Sequence, residues 1–527
     1  MSAHDKPGAF APFGHGAFAL LWTATLISNV GTWMHDVGAG WLMTTLNPSP
    51  AVVTLVQAAT TLPVFLFALL AGTLADRLDK RRMLIAINTI LFVVITLLAV
   101  LVWLNMMTPG LLIAFTLAIG TGAAFMAPAW QAVVPQLVPR DTLKPAIALN
   151  SMGINISRAI GPAVAGLLIA SVGLAAPFAL NAASHIVIIL ALIWWRPAPQ
   201  PARNHRTALL TDMATGVRHV RHNPPMLATL FRAIAFFLFA SAYWSLLPLI
   251  ARGAEAGGST LYGTLMALIG TGAVAGALLL PRLGNRLTPD QTVQAGTLGT
   301  ALALLLLATN AGPSVLMAAA FMGGLSWIAV LTSFNVSAQV ALPDWVRARG
   351  LAVFLMAFFG SMALGSIMWG QLASATTVPK SLIAAACGLV LGLWATRRFS
   401  VGQGEKLDLS AASAWPEAPD LGSDQTEDRP AMVVVEYHIE TDQRAAFQHA
   451  ITQFAKERLR DGATRWHLHQ SVEDPKIWLE TFHLPSWAEH LEQHKRVTRS
   501  DADAQETLRA MDARDGGPVV RHYISGE

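Results

Sequence analysis

Asp36 stands in the middle of a long apolar run, directly after His35. The only Lys, Arg, Asp or Glu side chains at comparable depth in the other apolar runs are Arg158, near the middle of one, and Arg232, near the start of another. An ionised group at the centre of a bilayer costs at least ~2.5–3.5 kcal/mol, so such residues face a cavity or one another. Two chemistries follow. Asp36 takes up and releases a proton, with His35 sharing the task because imidazole titrates near neutrality. Alternatively, Asp36 and Arg158 form a fixed ion pair that sets helix packing.

A second group of candidates lies near the C-terminus, where eight of the fifteen histidines fall in residues 430–527. His490 and His494 are one helical turn apart, a spacing that suits a metal, but Glu492 is misplaced for a metalloprotease motif. His467, His469, Trp478 and Glu480 are expected on one face of a hairpin, by alternation. No tight metal set and no nucleotide-binding motif accompanies them, so neither a metal nor a cofactor is expected and this region is not read as an enzyme.

The elements that position these residues follow from composition and charge. At 54% hydrophobic and 13% charged residues, the chain is too apolar for a soluble protein of its length. Twelve apolar runs are long enough to cross ~30 Å of hydrocarbon as helices. They lie near 16–46, 51–75, 83–104, 110–135, 144–171, 176–195, 226–251, 259–281, 291–309, 312–341, 347–374 and 379–396. One alternating set of loops, with the exit from the last run, holds seventeen Lys and Arg; the other set holds Arg252 and Lys380. Both termini are therefore expected in the cytoplasm of a multi-pass plasma-membrane protein. The first run is long and poorly flanked by cations, so it is expected to remain as a span. Residues 1–429 carry 24 Lys+Arg and 16 Asp+Glu, whereas 430–527 carry 12 and 16. The basic excess is loop charge facing lipid, and no nucleic-acid partner is implied. Cys387 falls within a span and is expected to be a small packing residue.

A basic, Pro-containing connection over 196–225 separates two six-helix halves, 13–195 and 226–396, within a membrane domain ending near 398. Shifting the sequence by 204 residues superposes Gly120 on Gly324, Ser157 on Ser361, Gly161 on Gly365 and Gly166 on Gly370, the mark of a repeat. The same shift brings Arg158 onto Met362, a break in the repeat. Residues 399–430 read as a tether. Beyond it, 431–527 alternates in the order βαββαβ, a ferredoxin-like α+β domain.

Gly72-Thr73-Leu74-Ala75-Asp76-Arg77-Leu78-Asp79-Lys80-Arg81-Arg82 resembles the loop motif of the major facilitator superfamily. Residues 28–50 and 137–168 resemble its enterobactin-exporter-like, transmembrane secretion effector branch. Members often continue into a domain similar to the antibiotic-biosynthesis monooxygenases, a dimeric α+β barrel, which implies a homodimer through this tail. The resemblance implies that Gly72 allows close packing at the end of span two. It also implies that Asp76 favours the start of span eleven, near Asp344–Arg349, while Arg77 and Arg81 meet lipid headgroups. Asp79 replaces the usual glycine. Gly161-Pro162 resembles the helix-bending element of exporters. Span four lacks the arginine that many proton-coupled members carry, with Thr116 near that place.

The expected function is secondary active transport, as proton-coupled export of a small apolar or amphipathic molecule such as a siderophore, drug or secondary metabolite. Trp33, Gln57, Trp130, Asn155, Tyr243 and Trp244 are the candidate cavity residues. A membrane-anchored monooxygenase-like enzyme or sensor, or an uptake carrier, are the alternatives.

Overall fold

The computed structural model describes residues 8, 10–139, 141–196, 209–254, 257–283, 286–309, 311–410, 412 and 429–526. Among them, twelve helices are long and apolar enough to cross a membrane. They are α1 (Gly16–Leu46), α2 (Pro50–Arg77), α3 (Lys80–Trp103), α4 (Pro109–Val133), α5 (Leu143–Ser171) and α6 (Ala176–Trp194) in the first half. The second half holds α8 (Pro224–Ser245) continued by α9 (Leu247–Gly253), then α10 (Ser259–Leu283), α11 (Pro289–Ala308), α12 (Pro313–Val340), α13 (Arg347–Ala375) and α14 (Val378–Ala395). Proline occupies the first turn of many of them, where its missing N–H costs nothing. Thr108, Thr288 and Thr377 cap helix starts with their side chains. The seventh span breaks at Leu246, because Pro248 cannot donate back into the preceding turn. An even number of spans puts both ends of the bundle on one face, here the near face; the opposite one is the far face.

The chain forms two compact units. The first contains most of the bundle: 1–206, 230–335 and 354–401. Within it the 204-residue repeat is legible in the contacts. A methyl group at Gly120 would lie 3.0 Å from Thr60 O of α2, and one at Gly324 would strike Ile269 of α10. At Gly161 it would lie 2.6 Å from Trp33 Cβ of α1, and at Gly365 it would strike Leu238 and Ser241 of α8. At Gly166 it would lie 2.9 Å from Ser259 O of α10, and at Gly370 it would strike Thr54 of α2. So α5 wedges between α1 and α10 as α13 wedges between α8 and α2, with glycine at every close approach. Cys387 is exposed on α14 and free, so it is not the packing residue expected.

The second unit is 207–229, 336–353 and 402–527. Its centre is an antiparallel sheet of β1 (Ala431–His438), β2 (Arg465–Gln470), β3 (Ile477–Leu484) and β4 (Val519–Ile524), ordered β2-β3-β1-β4. Helices α15 (Arg444–Asp461), α16 (Trp487–Arg496) and α17 (Arg499–Ala510) complete it. This is the expected ferredoxin-like order, with α16 and α17 together filling the place of the second helix. Val433, Val435, Tyr437, Phe447, Ile451, Phe454, Trp478 and Phe482 form its core.

The tail does not stand apart on its tether. Within the connection between the halves, α7 (Leu209–Arg221) packs in the same unit. Arg218 pairs with Glu489 at 3.1 Å, and His219 meets Trp345 edge-on at 5.3 Å. The Arg496 guanidinium lies 4.6 Å from the centre of the Trp345 ring, and Asn223 donates to Ala341 O at 2.7 Å. The near ends of α8, α12 and α13 are thus built into the unit that contains the tail. Residues 197–208 of the connection and 413–428 of the tether, with position 411, lie outside the described residues.

Candidate transport cavity

Between the halves of the first unit lies a cavity of about 360 Å³. Its first-half wall presents Trp33, His35 and Asp36 from α1, Gln57, Thr60 and Thr61 from α2, Thr116 from α4 and Arg158 from α5. Its second-half wall presents Trp244 and Ser245 at the break of span seven, Tyr262 and Met266 from α10, Trp327 from α12, and Phe358, Phe359 and Met362 from α13. Every charged lining side chain belongs to the first half. Most of the aromatic surface belongs to the second, where Trp244 and Trp327 stand 5.3 Å apart and Phe358 and Phe359 4.5 Å apart. The repeat-related positions Arg158 and Met362 both line the cavity, so the break in the repeat falls at its wall.

Asp36 and Arg158 share this space without an ion pair between them; among the described residues Asp36 has no hydrogen bond and no salt bridge. Arg158 lies over Trp33 at 5.3 Å, and its Nε is buried with no partner. Trp33 in turn packs on Gly161, one turn along α5 from Arg158. The glycine of the Gly161-Pro162 pair therefore lets α1 come close at Val30 and the Trp33 Cβ, which brings the Trp33 ring within reach of the guanidinium. His35 is buried, edge-on to Phe178 at 5.0 Å, and neither ring nitrogen has a partner. Trp244 Nε1 is likewise buried without an acceptor.

Several expected positions lie elsewhere. Arg232 is not a cavity charge: it pairs with Asp290 at 2.9 Å and donates to Phe399 O at 3.1 Å, near the bundle's near face. Trp130 donates to Asn150 Oδ1, Asn155 donates to Ser151 O in its own helix, and the buried Tyr243 donates to Ala320 O at 2.8 Å. None of the three is among the lining residues. Of the expected set, Trp33, Gln57 and Trp244 line the space. Tyr262 was missed; it approaches because Gly40 has no side chain, a methyl there lying 2.8 Å from its hydroxyl.

Toward the far face the helices of the two halves approach closely. Gly166 meets Gly263 on one side, and Ala51 N donates to Ser374 Oγ at 2.9 Å on the other, beside the contact of Gly370 with Thr54. At the near end, Gly72 has nothing within 4 Å of where a methyl would lie, so it is not the close-packing point expected. The side chain of Asp76 lies outside those described. Asp79, in place of the family's glycine, caps α3 by accepting from Arg82 N at 2.8 Å. Arg81 donates to Leu192 O and Ile193 O, both at 2.7 Å, closing the C-terminus of α6.

In the second unit the hairpin register overturns the expected face. Leu468 lies opposite Glu480 and His467 opposite Thr481, so both histidines are on the exposed face and Glu480 is on the buried one. Glu480 is enclosed by Arg458 Nε at 3.2 Å, Trp466 Nε1 at 3.0 Å and Tyr437 Oη at 3.2 Å. His490 is buried, with its Nε2 3.2 Å from His494 Nε2. Among the described residues no group of three His, Cys, Asp or Glu is placed to hold a metal ion.

The model of the transmembrane secretion effector family matches residues 7–527. The chain belongs to that family. It is similar to the enterobactin exporter EntS of Escherichia coli O1:K1, 26% identical over 384 residues, covering 72% of this chain and 90% of the relative. It is also similar to the staphyloferrin A transporter of Staphylococcus aureus, 25% identical over 258 residues; the match spans 48% of this chain and 64% of that relative's length. Among solved structures, a POT family transporter aligns with TM-score 0.60 at 12% identity, over 72% of this chain and 95% of that one. A bacterial homologue of the lysosomal transporter Spinster aligns with TM-score 0.58 at 13% identity, over 74% and 98%. These likenesses show the major facilitator fold. The protein is a multi-pass transporter of the bacterial inner membrane, acting on a small molecule.

Proposed function

We propose that this protein exports a small amphipathic molecule by alternating access, driven by protons that Asp36 takes up and releases. The observation that carries this reading is Asp36 itself. It lines a central cavity beside a cation and has no salt bridge or hydrogen bond, which leaves the carboxyl available to solvent and substrate. A fixed ion pair with Arg158, the competing account, would need those groups in contact. The close helix contacts at Gly166 and Gly370 toward the far face support an inward-facing state, with the far face periplasmic and the termini cytoplasmic. Export is favoured because two siderophore transporters, one named an exporter, are among the relatives. The tail is read as a packing module that does not catalyse: its inner face is filled by core side chains and Glu480 is fully engaged. The exposed outer face, with Met432, Leu479 and Tyr523, is the surface through which two tails would pair.

Everted membrane vesicles with an imposed pH gradient test the coupling, using a panel of fluorescent amphiphiles. Wild type is expected to accumulate at least one of them as the gradient dissipates, and Asp36→Asn to lose that accumulation at least about tenfold. Undiminished gradient-driven uptake by Asp36→Asn would end the proposal.

A further inference from the structure

The polar atoms lining the cavity do not balance. Arg158 Nε and Trp244 Nε1 are buried donors with no acceptor, and the buried His35 imidazole, whichever tautomer it adopts, adds an N–H in the same condition. All three residues line the same space. Buried donors in a folded protein are nearly always satisfied, because leaving one unmade costs about 1–3 kcal/mol. Asp36 offers the only carboxylate there, and it does not engage Arg158. Acceptors are present in the Asp36 carboxylate and the Gln57 amide, yet neither engages these donors, and the unmade bonds are centred on a guanidinium, a group with five donors and no acceptor.

Resting on the reading of this cavity as the transport site, we propose that the substrate is an aromatic acid. Its anionic oxygens are held by Arg158, with the Trp244 indole N–H as a second donor. Its flat apolar body lies against Trp327, Phe358 and Phe359.

The geometry explains why the anion goes to the first half. Arg158 is held over Trp33, and Trp33 is seated on Gly161, so the guanidinium is positioned before any ligand arrives. Met362 occupies the corresponding place in the second half and contributes a polarisable apolar surface instead. A planar guanidinium recognises a carboxylate through two parallel hydrogen bonds, and an aromatic wall prefers a flat partner in offset or edge contact. A cationic amphiphile would meet Arg158 as a like charge.

The full-length protein in detergent, with no gradient, is titrated calorimetrically with 1-naphthoate, neutral 1-naphthamide and cationic 1-naphthylmethylammonium. The acid is expected to bind at least about tenfold tighter than the amide, and the ammonium weakest. Arg158→Gln is expected to abolish the preference for the acid, bringing its affinity down to that of the amide for the same variant, and Arg158→Lys to retain part of it. Trp244→Phe, which keeps the ring and removes the N–H, is expected to weaken the acid about fivefold. It keeps the assignment testable if Arg158→Gln misfolds. Tightest binding of the ammonium, equal binding of all three, no binding, or an acid affinity indifferent to Arg158→Gln would overturn the assignment. Because binding is read without a gradient, undiminished gradient-driven uptake by Asp36→Asn in vesicles would remove proton coupling alone and leave this result standing.

Discussion

The cavity and the tail both bury charge, and they do so in opposite ways. In the cavity Asp36 and Arg158 face the same space and leave each other unpaired. In the tail Glu480 accepts from three donors, while Arg458, its cation, lies 4.6 Å from the rings of both Phe454 and Phe482. Arg460 similarly bridges Asp461 and Asp501 at 2.9 and 2.7 Å. A buried charge whose bonds are complete holds a fold together. One whose bonds are incomplete has them free for another partner, which is the use the proposed transport cycle makes of Asp36 and Arg158. The difference between structural and functional charge is here a matter of bookkeeping at single atoms, since residue types are shared by the two regions.

The comparison breaks most visibly at Glu480. Replacing it by Leu removes the acceptor from Arg458, Trp466 and Tyr437 together, and a buried ion pair stripped of one partner typically loses about 3–5 kcal/mol. The thermal transition of the tail-containing unit is expected to fall accordingly, and an unchanged midpoint would show that the network is not structural.

A smaller effect is expected at Glu457, a buried carboxyl of the tail that is incompletely paired among the described residues. Its Oε2 is buried without a partner, and Asp501, Arg460, Asp461 and Arg458 face it. Burial, with the carboxylates of Asp501 and Asp461, raises its pKa from 4.5 to about 8. A raised carboxyl pKa favours folding fully below about 4.5, and that contribution is lost as pH climbs through about 8. Glu457→Gln should therefore flatten the pH dependence of the melting midpoint across this window and raise the midpoint at pH 8. A parallel profile for wild type and variant would refute the assignment. The smallest effect sharpens the contrast from the other side. Arg158→Met, which copies its repeat mate Met362, is expected to leave the melting midpoint unchanged or slightly higher, since no protein bond is broken. A drop comparable to that of Glu480→Leu would mean that Arg158 is structural.

Much of this arrangement was legible in the sequence. Long apolar runs with punctuating Asn-Pro and Pro-Gly turns gave the twelve spans, because a backbone in lipid has few alternatives to a helix. Glycines at a fixed shift gave the repeat, and their contacts follow it helix for helix. Asp36 and Arg158 stood out since charge is rare at that depth. Arg232 looked identical by the same criterion, yet its partner Asp290 lies 58 residues away on another helix, a pairing that no local period encodes. The aromatics were read less well: in a span, nothing in the sequence separates a ring facing a cavity from one facing lipid or a neighbour, as Trp130 and Tyr243 illustrate. In the hairpin, alternation within each strand leaves the register between them open, and the observed register is one residue away from the one that would put His467 and Glu480 on one face. The helix α7 was read only as a basic connection, although Leu209, Met213, Val217 and Val220 recur at helical spacing.

That helix also changes what it means to shorten this protein. Ending the chain after residue 398, where composition alone would cut, removes Glu489, Asp461 and Arg496 in one stroke. Arg218 would lose its counter-ion, and the Trp345 indole would lose the guanidinium stacked against it. Such a truncated chain would not be the transporter minus an accessory, because the near ends of α7 and α13 would lose the side chains that cover them.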